Sequence, residues 1–165
     1  VSDGAAAVVI SNQDVANAAS QKVRFLARTQ VTDFMPMRQR NPLVFDGVTR
    51  AWKNVLSDAN ITLDSLSFAE VHDCFTIAEL MIYESMGLTP FGQGATAINE
   101  GWVMKDGRLP VNPSGGLKAK GHPVGATGAI LILKALHELE RIQGRYGLIT
   151  LCIGGGQGIA LLIER

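Results

Sequence analysis

Five of the chain's eighteen glycines fall within seventeen residues, Asn112-Pro-Ser-Gly-Gly-Leu-Lys-Ala-Lys-Gly-His-Pro-Val-Gly-Ala-Thr-Gly128. No other stretch constrains the fold as much. Glycine loses more backbone freedom on folding than any other residue, so this density belongs where the chain turns sharply or lets another group come close. The stretch runs into Ala126–Glu140, where apolar residues recur at helical spacing. A helix N-terminus therefore abuts His122. Its free N–H groups and partial positive charge favour a neutral imidazole with negative charge developing nearby.

The rest of the chain alternates between two periods. Ala5–Ser11, Val23–Val31, Leu66–Val71, Tyr146–Cys152 and Ile159–Glu164 are short apolar or alternating runs that predict five strands. Asp46–Ala59 carries Val48, Ala51, Trp52, Val55 and Leu56 on one helical face. Thr76–Met86 is a second helix with Gly87 as its C-cap, and Asp14–Ser20 holds one or two helical turns. Phe91–Arg108 reads as loop, and so does Asn112–Gly116. Gly154–Gly158 is a turn that makes the last two strands an antiparallel hairpin. Alternating strands and helices predict an α/β layered domain, with a five-stranded, mostly parallel mixed sheet between helices. In such sheets, sites lie beyond the C-terminal ends of strands. His72 falls there, and Cys152 sits where a strand enters a turn.

Composition excludes several classes. Fifteen basic residues balance fifteen acidic ones, so there is no surplus for nucleic acid or an anionic membrane. The apolar runs are too short to span a bilayer, and 47% hydrophobic residues in 165 suffice for a core. Cys74 and Cys152 lie far apart, without metal-type spacing. A reducing, cytoplasmic compartment is expected. The chain opens Val-Ser-Asp-Gly without a methionine, which points to further sequence upstream.

Three blocks carry chemistry. His122 sits between Gly121 and Pro123, and a neutral imidazole there can activate a thiol or donate to an oxyanion; the plainer reading is a turn histidine. Cys152 precedes Gly154, Gly155 and Gly156, whose N–H groups are free to face a ligand. Its thiol serves as acid or base if its pKa is lowered, while a buried structural cysteine is the commoner case. In His72-Asp73-Cys74-Phe75 the first two residues can orient water or substrate, and Phe75 can cover an apolar ligand arm. The alternative has Asp73 or Thr76 capping the helix that follows. Cys74 reads as packing, and Lys118 and Lys120 as solvated. Trp52, Met81, Tyr83 and Met86 read as core.

Together these blocks resemble the C-terminal part of a thiolase. Gly121-His122-Pro123 is similar to the family's Gly-His-Pro block and Cys152-Ile153-Gly154 to its Cys-x-Gly block. Asp3-Gly4-Ala5-Ala6-Ala7 resembles the strand that completes the family's N-terminal half. The resemblance implies a thiolase-like C-terminal domain over residues 21–165, and a truncated end of the N-terminal half over residues 1–20. Where many thiolases have Asn-Glu-Ala-Phe, this chain has His72-Asp73-Cys74-Phe75, as in the sterol-carrier-protein-type thiolases. The resemblance then assigns roles. His122 activates the nucleophilic cysteine and forms an oxyanion hole with His72. Cys152 is the acid/base at the acetyl methyl carbon, and Gly154 N–H serves a second oxyanion hole. Phe75, Cys74 and Gly155 lie against the substrate.

The activity implied is acyl-CoA C-acyl transfer through an acyl-cysteine. Coenzyme A is substrate or product, and neither a covalent cofactor nor a metal is needed. The nucleophile matches neither cysteine here, so it is expected outside this chain, and the 165 residues alone are expected to be inactive. A homodimer or homotetramer, with an accessory protein as a further partner, is implied for the parent protein, and a peroxisomal location if it is eukaryotic. Two rival readings remain: a non-catalytic acyl-CoA or lipid-binding thiolase-like subunit, and a ketoacyl-synthase-type condensing enzyme. Retention of both His122 and Cys152 argues against the first. The reactive cysteine at position 152 argues against the second.

Overall fold

A computed structural model describes residues 2–165; Val1, at the head of the 1–20 segment, lies outside the described residues. In chain order the elements are α1 (Gln13–Asn17), β1 (Arg24–Val31), α2 (Asp46–Asp58), β2 (Phe68–Glu70), α3 (Thr76–Ser85), α4 (Gly94–Asn99), α5 (Gly116–Lys120), α6 (Thr127–Ile142), β3 (Tyr146–Gly154) and β4 (Gln157–Glu164). The sheet order is β1-β4-β3-β2.

Period-two alternation in the hairpin strands builds the layers. Leu148 and Leu162 face one side, with Trp52, Val55 and Ile82. Ile149 and Ile163, next along each strand, face the other side with Leu131, Ala135 and Leu139. Successive side chains on a strand point to opposite faces, so one hairpin feeds both cores. The α2 face presents the stripe Val48, Ala51, Trp52 and Val55, and α6 presents Leu131, Ala135 and Leu139 at i, i+4, i+8. The result is an α/β domain whose mixed sheet lies between α2 with α3 on one side and α6 on the other.

The sheet corrects two expectations. It has four strands among the described residues, not five, and it is mostly antiparallel. Only β2 and β3 pair in parallel, while β1/β4 and β3/β4 are antiparallel. Ala5–Ser11 forms no strand. Val9 is 95% exposed, and without a neighbouring strand in the chain its N–H and C=O groups have no ladder to join. Instead the segment leans on the His122 loop. Ser2 Oγ accepts the His122 N–H at 3.1 Å, and a Cβ on Gly4 would meet Pro123 Cγ at 2.7 Å. On the far side of β2, Val111 makes only an isolated bridge to Ala69.

Helix boundaries follow local chemistry closely. Asp46 opens α2, and α3 ends at Ser85 with Gly87 at φ 75° just beyond it, the left-handed position glycine tolerates. Two short helices were not expected. α4 lies in the stretch read as loop and is held where Gly94 N donates to Glu84 Oε1 at 2.8 Å. α5 lies inside the glycine-rich stretch. Its N-terminal amides are met from a distant strand end: Leu117 N donates to Asp73 Oδ1 at 2.7 Å and Lys118 N to Asp73 Oδ2 at 3.3 Å. The expectation that Asp73 or Thr76 caps the following helix is therefore corrected. The N-cap position of α3 is Phe75, with no side-chain cap hydrogen bond, and Asp73 turns away to serve α5.

Candidate active site

The site grows from two strand ends and one helix start. His72 follows β2, Cys152 lies near the end of β3, and β2 and β3 are parallel neighbours. His122 immediately precedes Pro123, whose carbonyl opens the approach to α6: Ala126 and Thr127 both donate to it at 2.8 Å.

The three side chains meet. Cys152 Sγ lies 2.8 Å from His72 Nδ1, and Cys152 N donates to the same nitrogen at 3.1 Å. His72 Nε2 lies 3.3 Å from His122 Nε2, with ring centroids 5.1 Å apart and planes at 72°. His122 Nδ1 is 2.7 Å from Thr127 Oγ1, and Thr127 Oγ1 donates to Pro123 O at 2.9 Å. A single oxygen placed beside the two Nε2 atoms would be in reach of both, which is the geometry of a two-donor oxyanion site.

Electrostatics differ along the row. His72 is buried, and desolvation, reinforced by the neighbouring His122, holds its imidazole below the ordinary value of 6.5, so it is neutral at pH 7. Burial, followed by Cys74, pushes the Cys152 thiol up to about 11. The condition the sequence sets for a resting thiolate, a lowered thiol pKa, is not met. Cys152 holds its proton, which suits an acid better than a resting thiolate.

A supporting layer explains why the glycine-rich stretch takes this path. Glu70 is fully buried; it accepts Ser114 N at 3.2 Å and Ser114 Oγ at 2.9 Å, with Lys120 Nζ 3.5 Å away. Lys120 is thus half-buried and paired, which corrects its reading as a solvated residue, whereas Lys118 is exposed. Asn112, at φ 51°, accepts Val71 N at 2.8 Å and donates to Glu79 at 3.1 Å. Sequence reasoning passed over Glu70, Asn112, Ser114 and Thr127, because each acts through a partner on another element.

The remaining candidates lie around the row. Phe75 is 70% exposed at the start of α3, and Cys74 is half-buried. Gly154 and Gly155 are exposed in the β3–β4 turn, with φ of 133° and 57°. His72, Cys74 and Cys152 each offer a ligand atom, and these lie within 4.8 Å of one another, a grouping their sequence spacing does not reveal. The His72 Nδ1 lone pair in that group already receives the Cys152 amide. On the other side of Cys152 a cavity of about 180 Å³ is lined by Met37, Arg40, Phe45, Gly47, Gly154 and Gly156, among others. Among the described residues, no helix is long and apolar enough to cross a membrane.

A mixed sheet between helices, with an imidazole and a thiol at the ends of adjacent parallel strands and a second imidazole just before a helix, defines a thiolase-type C-terminal domain. The family model for the thiolase C-terminal domain-like fold matches residues 29–163, and the chain belongs to that family. It is similar to the acetyl-CoA acetyltransferase of Methanothermobacter thermautotrophicus, 34% identical over 168 residues, covering 97% of this chain and 44% of that protein. It is also similar to the beta-ketoadipyl-CoA thiolase of Acinetobacter baylyi, at 34% over all of this chain and 36% of the relative. Human sterol carrier protein 2 is 37% identical over 87% of this chain and 28% of its own length. The chain thus spans less than half the length of these curated relatives.

Proposed function

We propose that this chain is the C-terminal portion of an acyl-CoA C-acyltransferase that makes or cleaves the carbon–carbon bond of a 3-ketoacyl-CoA. The row in which His72 lies within hydrogen-bonding distance of both Cys152 and His122 carries the reading, supported by family membership.

In this reading the nucleophilic cysteine belongs to a part of the protein this chain does not include, because Cys152 is taken up by His72 and Cys74 packs beside it. His122 takes the proton of that thiol. The thiolate attacks the 3-keto carbon, and the bond to the acetyl-CoA unit breaks. Cys152, protonated at neutral pH, gives its proton to the leaving enolate carbon. Coenzyme A then takes the acyl group from the enzyme cysteine, a ping-pong sequence of two acyl transfers. The two Nε2 atoms serve the thioester oxygen, and the Gly154 N–H serves the acyl-enzyme carbonyl. Phe75, Cys74 and Gly155 lie along the path of the substrate's pantetheine. Residues 1–20 are proposed as the end of the preceding half, in keeping with the lean of Ser2 and Gly4 on the His122 loop. A homodimer or homotetramer, with room for an accessory protein, completes the proposal.

The test is thiolysis of acetoacetyl-CoA by free coenzyme A with the intact protein that carries this chain, followed by loss of the enolate absorbance. Turnover that disappears in His122→Ala and in Cys152→Ala is expected. Absence of turnover on short and long 3-ketoacyl-CoA alike, with CoA esters still bound, overturns the reading in favour of a binding subunit.

A further inference from the structure

The row of polar groups from Cys152 to Pro123 has an order that neither histidine could set alone. At one end stands the Cys152 amide, which can only donate; it points at His72 Nδ1 from 3.1 Å. A neutral imidazole carries one proton, so His72 Nδ1 must be bare and Nε2 must hold the hydrogen. That N–H faces His122 Nε2 at 3.3 Å, which must then be the bare nitrogen of His122. The His122 proton is left on Nδ1, directed at Thr127 Oγ1 2.7 Å away. Thr127 has one hydroxyl hydrogen, and it goes to the Pro123 carbonyl at 2.9 Å. A carbonyl can only accept, so the far end agrees with the near one.

We infer that Thr127 is a positioning residue: its hydroxyl, committed to the Pro123 carbonyl, holds His122 in the tautomer whose Nε2 lone pair faces the reacting site. Thr127 is 2% exposed, so water cannot replace it. The tautomer matters because His122 must begin as a base and end as a donor. With Nδ1 protonated, Nε2 takes the proton of the nucleophilic thiol. It then presents an N–H beside the one on His72, and the oxyanion site is complete only after the nucleophile is charged. In the opposite tautomer two Nε2–H groups would face each other at 3.3 Å and the base would be gone. Removing the group that sets a catalytic imidazole's tautomer can cost about four orders of magnitude when that group is a carboxylate. A neutral hydroxyl should matter less, on the order of ten- to a hundredfold.

The inference rests on the proposed acyl-transfer reading, and the experiment separates the two. Thr127→Val and Thr127→Ser are made in the intact protein. Thr127→Val is expected to lower kcat by ten- to a hundredfold with KM within about twofold, and Thr127→Ser to recover most of it. A helix-start role alone would move melting temperature and leave the tautomer unchanged. The second readout is ¹⁵N NMR of histidine-labelled protein, with His122 assigned by its loss in His122→Asn. Wild type should show His122 protonated at Nδ1, Thr127→Ser the same, and Thr127→Val a mixture of tautomers. Cys152→Ala should leave His72 in the Nε2–H form, because the amide remains. Wild-type His122 protonated at Nε2, full kcat in Thr127→Val, or Thr127→Ser as impaired as Thr127→Val at equal melting temperature overturns the inference. If the wild-type protein shows no thiolysis, the acyl-transfer reading fails, while the NMR comparison still decides whether Thr127 locks the tautomer.

Discussion

The two turns that carry His122 and Cys152 are both rich in glycine, yet they are held by opposite means. The His122 turn is pinned by side chains in both directions: buried Glu70 and Asp73 reach in to Ser114, Leu117 and Lys118, and Asn112, at the head of the turn, reaches back to accept from Val71 N. The Cys152 turn has little of that. It is held by backbone against backbone, where the first turn of α2 meets the hairpin. A Cβ on Gly47 would lie 2.2 Å from Gly156 O, and one on Gly158 would lie 2.6 Å from Gly47 backbone atoms. The first design depends on charges and hydrogen bonds, the second on the absence of a methyl group. A turn beside a base tolerates fixed polar partners. A turn that leaves its N–H groups to a ligand must be positioned without occupying them.

The largest effect should come from breaking the first turn's charge pairing. Lys120→Met leaves the fully buried Glu70 with Ser114 alone, which should cost about 3 kcal/mol in urea unfolding at pH 7, as is typical when one partner of a buried pair is removed. A loss below about 1 kcal/mol would show that the Ser114 donors suffice and that the pairing is incidental. Next comes the second turn. Gly158→Ala adds a methyl against backbone that cannot rotate away, at a cost of about 2 kcal/mol, within the usual range for overpacking. Because no charge is involved, this loss should be the same at low and high salt, whereas the loss in the Lys120 variant should change with salt, by less than for an exposed pair because burial limits screening. Equal salt dependence for both would erase the distinction between the turns.

Asp73→Ala should cost about 1 kcal/mol, the usual worth of a helix-start acceptor. The opening should be local, with faster amide exchange at Leu117 and Lys118 and no change in α3. Faster exchange at the start of α3 instead would mean that Asp73 caps its own helix after all.

The smallest effect is with pH. The folded imidazole of His72 lies below its ordinary value of 6.5 through burial, so below that pH the unfolded chain binds the proton more readily than the folded one. Its contribution to stability is therefore complete above pH 6.5 and declines as the pH falls from there. Thermal unfolding between pH 7 and pH 5 should show that decline, and His72→Asn should flatten it. An unchanged slope in His72→Asn would assign the decline to other groups.

Much of this is legible in the sequence itself. The 3.6 period of Asp46–Ala59 and Ala126–Glu140 and the alternation of the last two strands identify the helices and the hairpin, because those patterns are consequences of burying one face. His122 and Cys152 stood out because glycine crowds only where the backbone has a special task. The failures share a cause as well. Ala5–Ser11 has the composition of a strand, but a strand exists only with a partner, and periodicity names a face without naming what covers it. Lys120 looked like surface because its partner Glu70 is 50 residues away in sequence.

Local sequence thus decided which segments are helical, where they stop, and which two turns can bear chemistry, since propensity, capping and glycine's freedom act within a few residues. Only the tertiary structure decided that the sheet is mostly antiparallel, that Asp73 caps α5 and not α3, and that one chain of hydrogen bonds runs from Cys152 through both histidines to Thr127. Those outcomes depend on contacts between residues dozens of positions apart, where one hydrogen-bond distance separates a partner from a bystander.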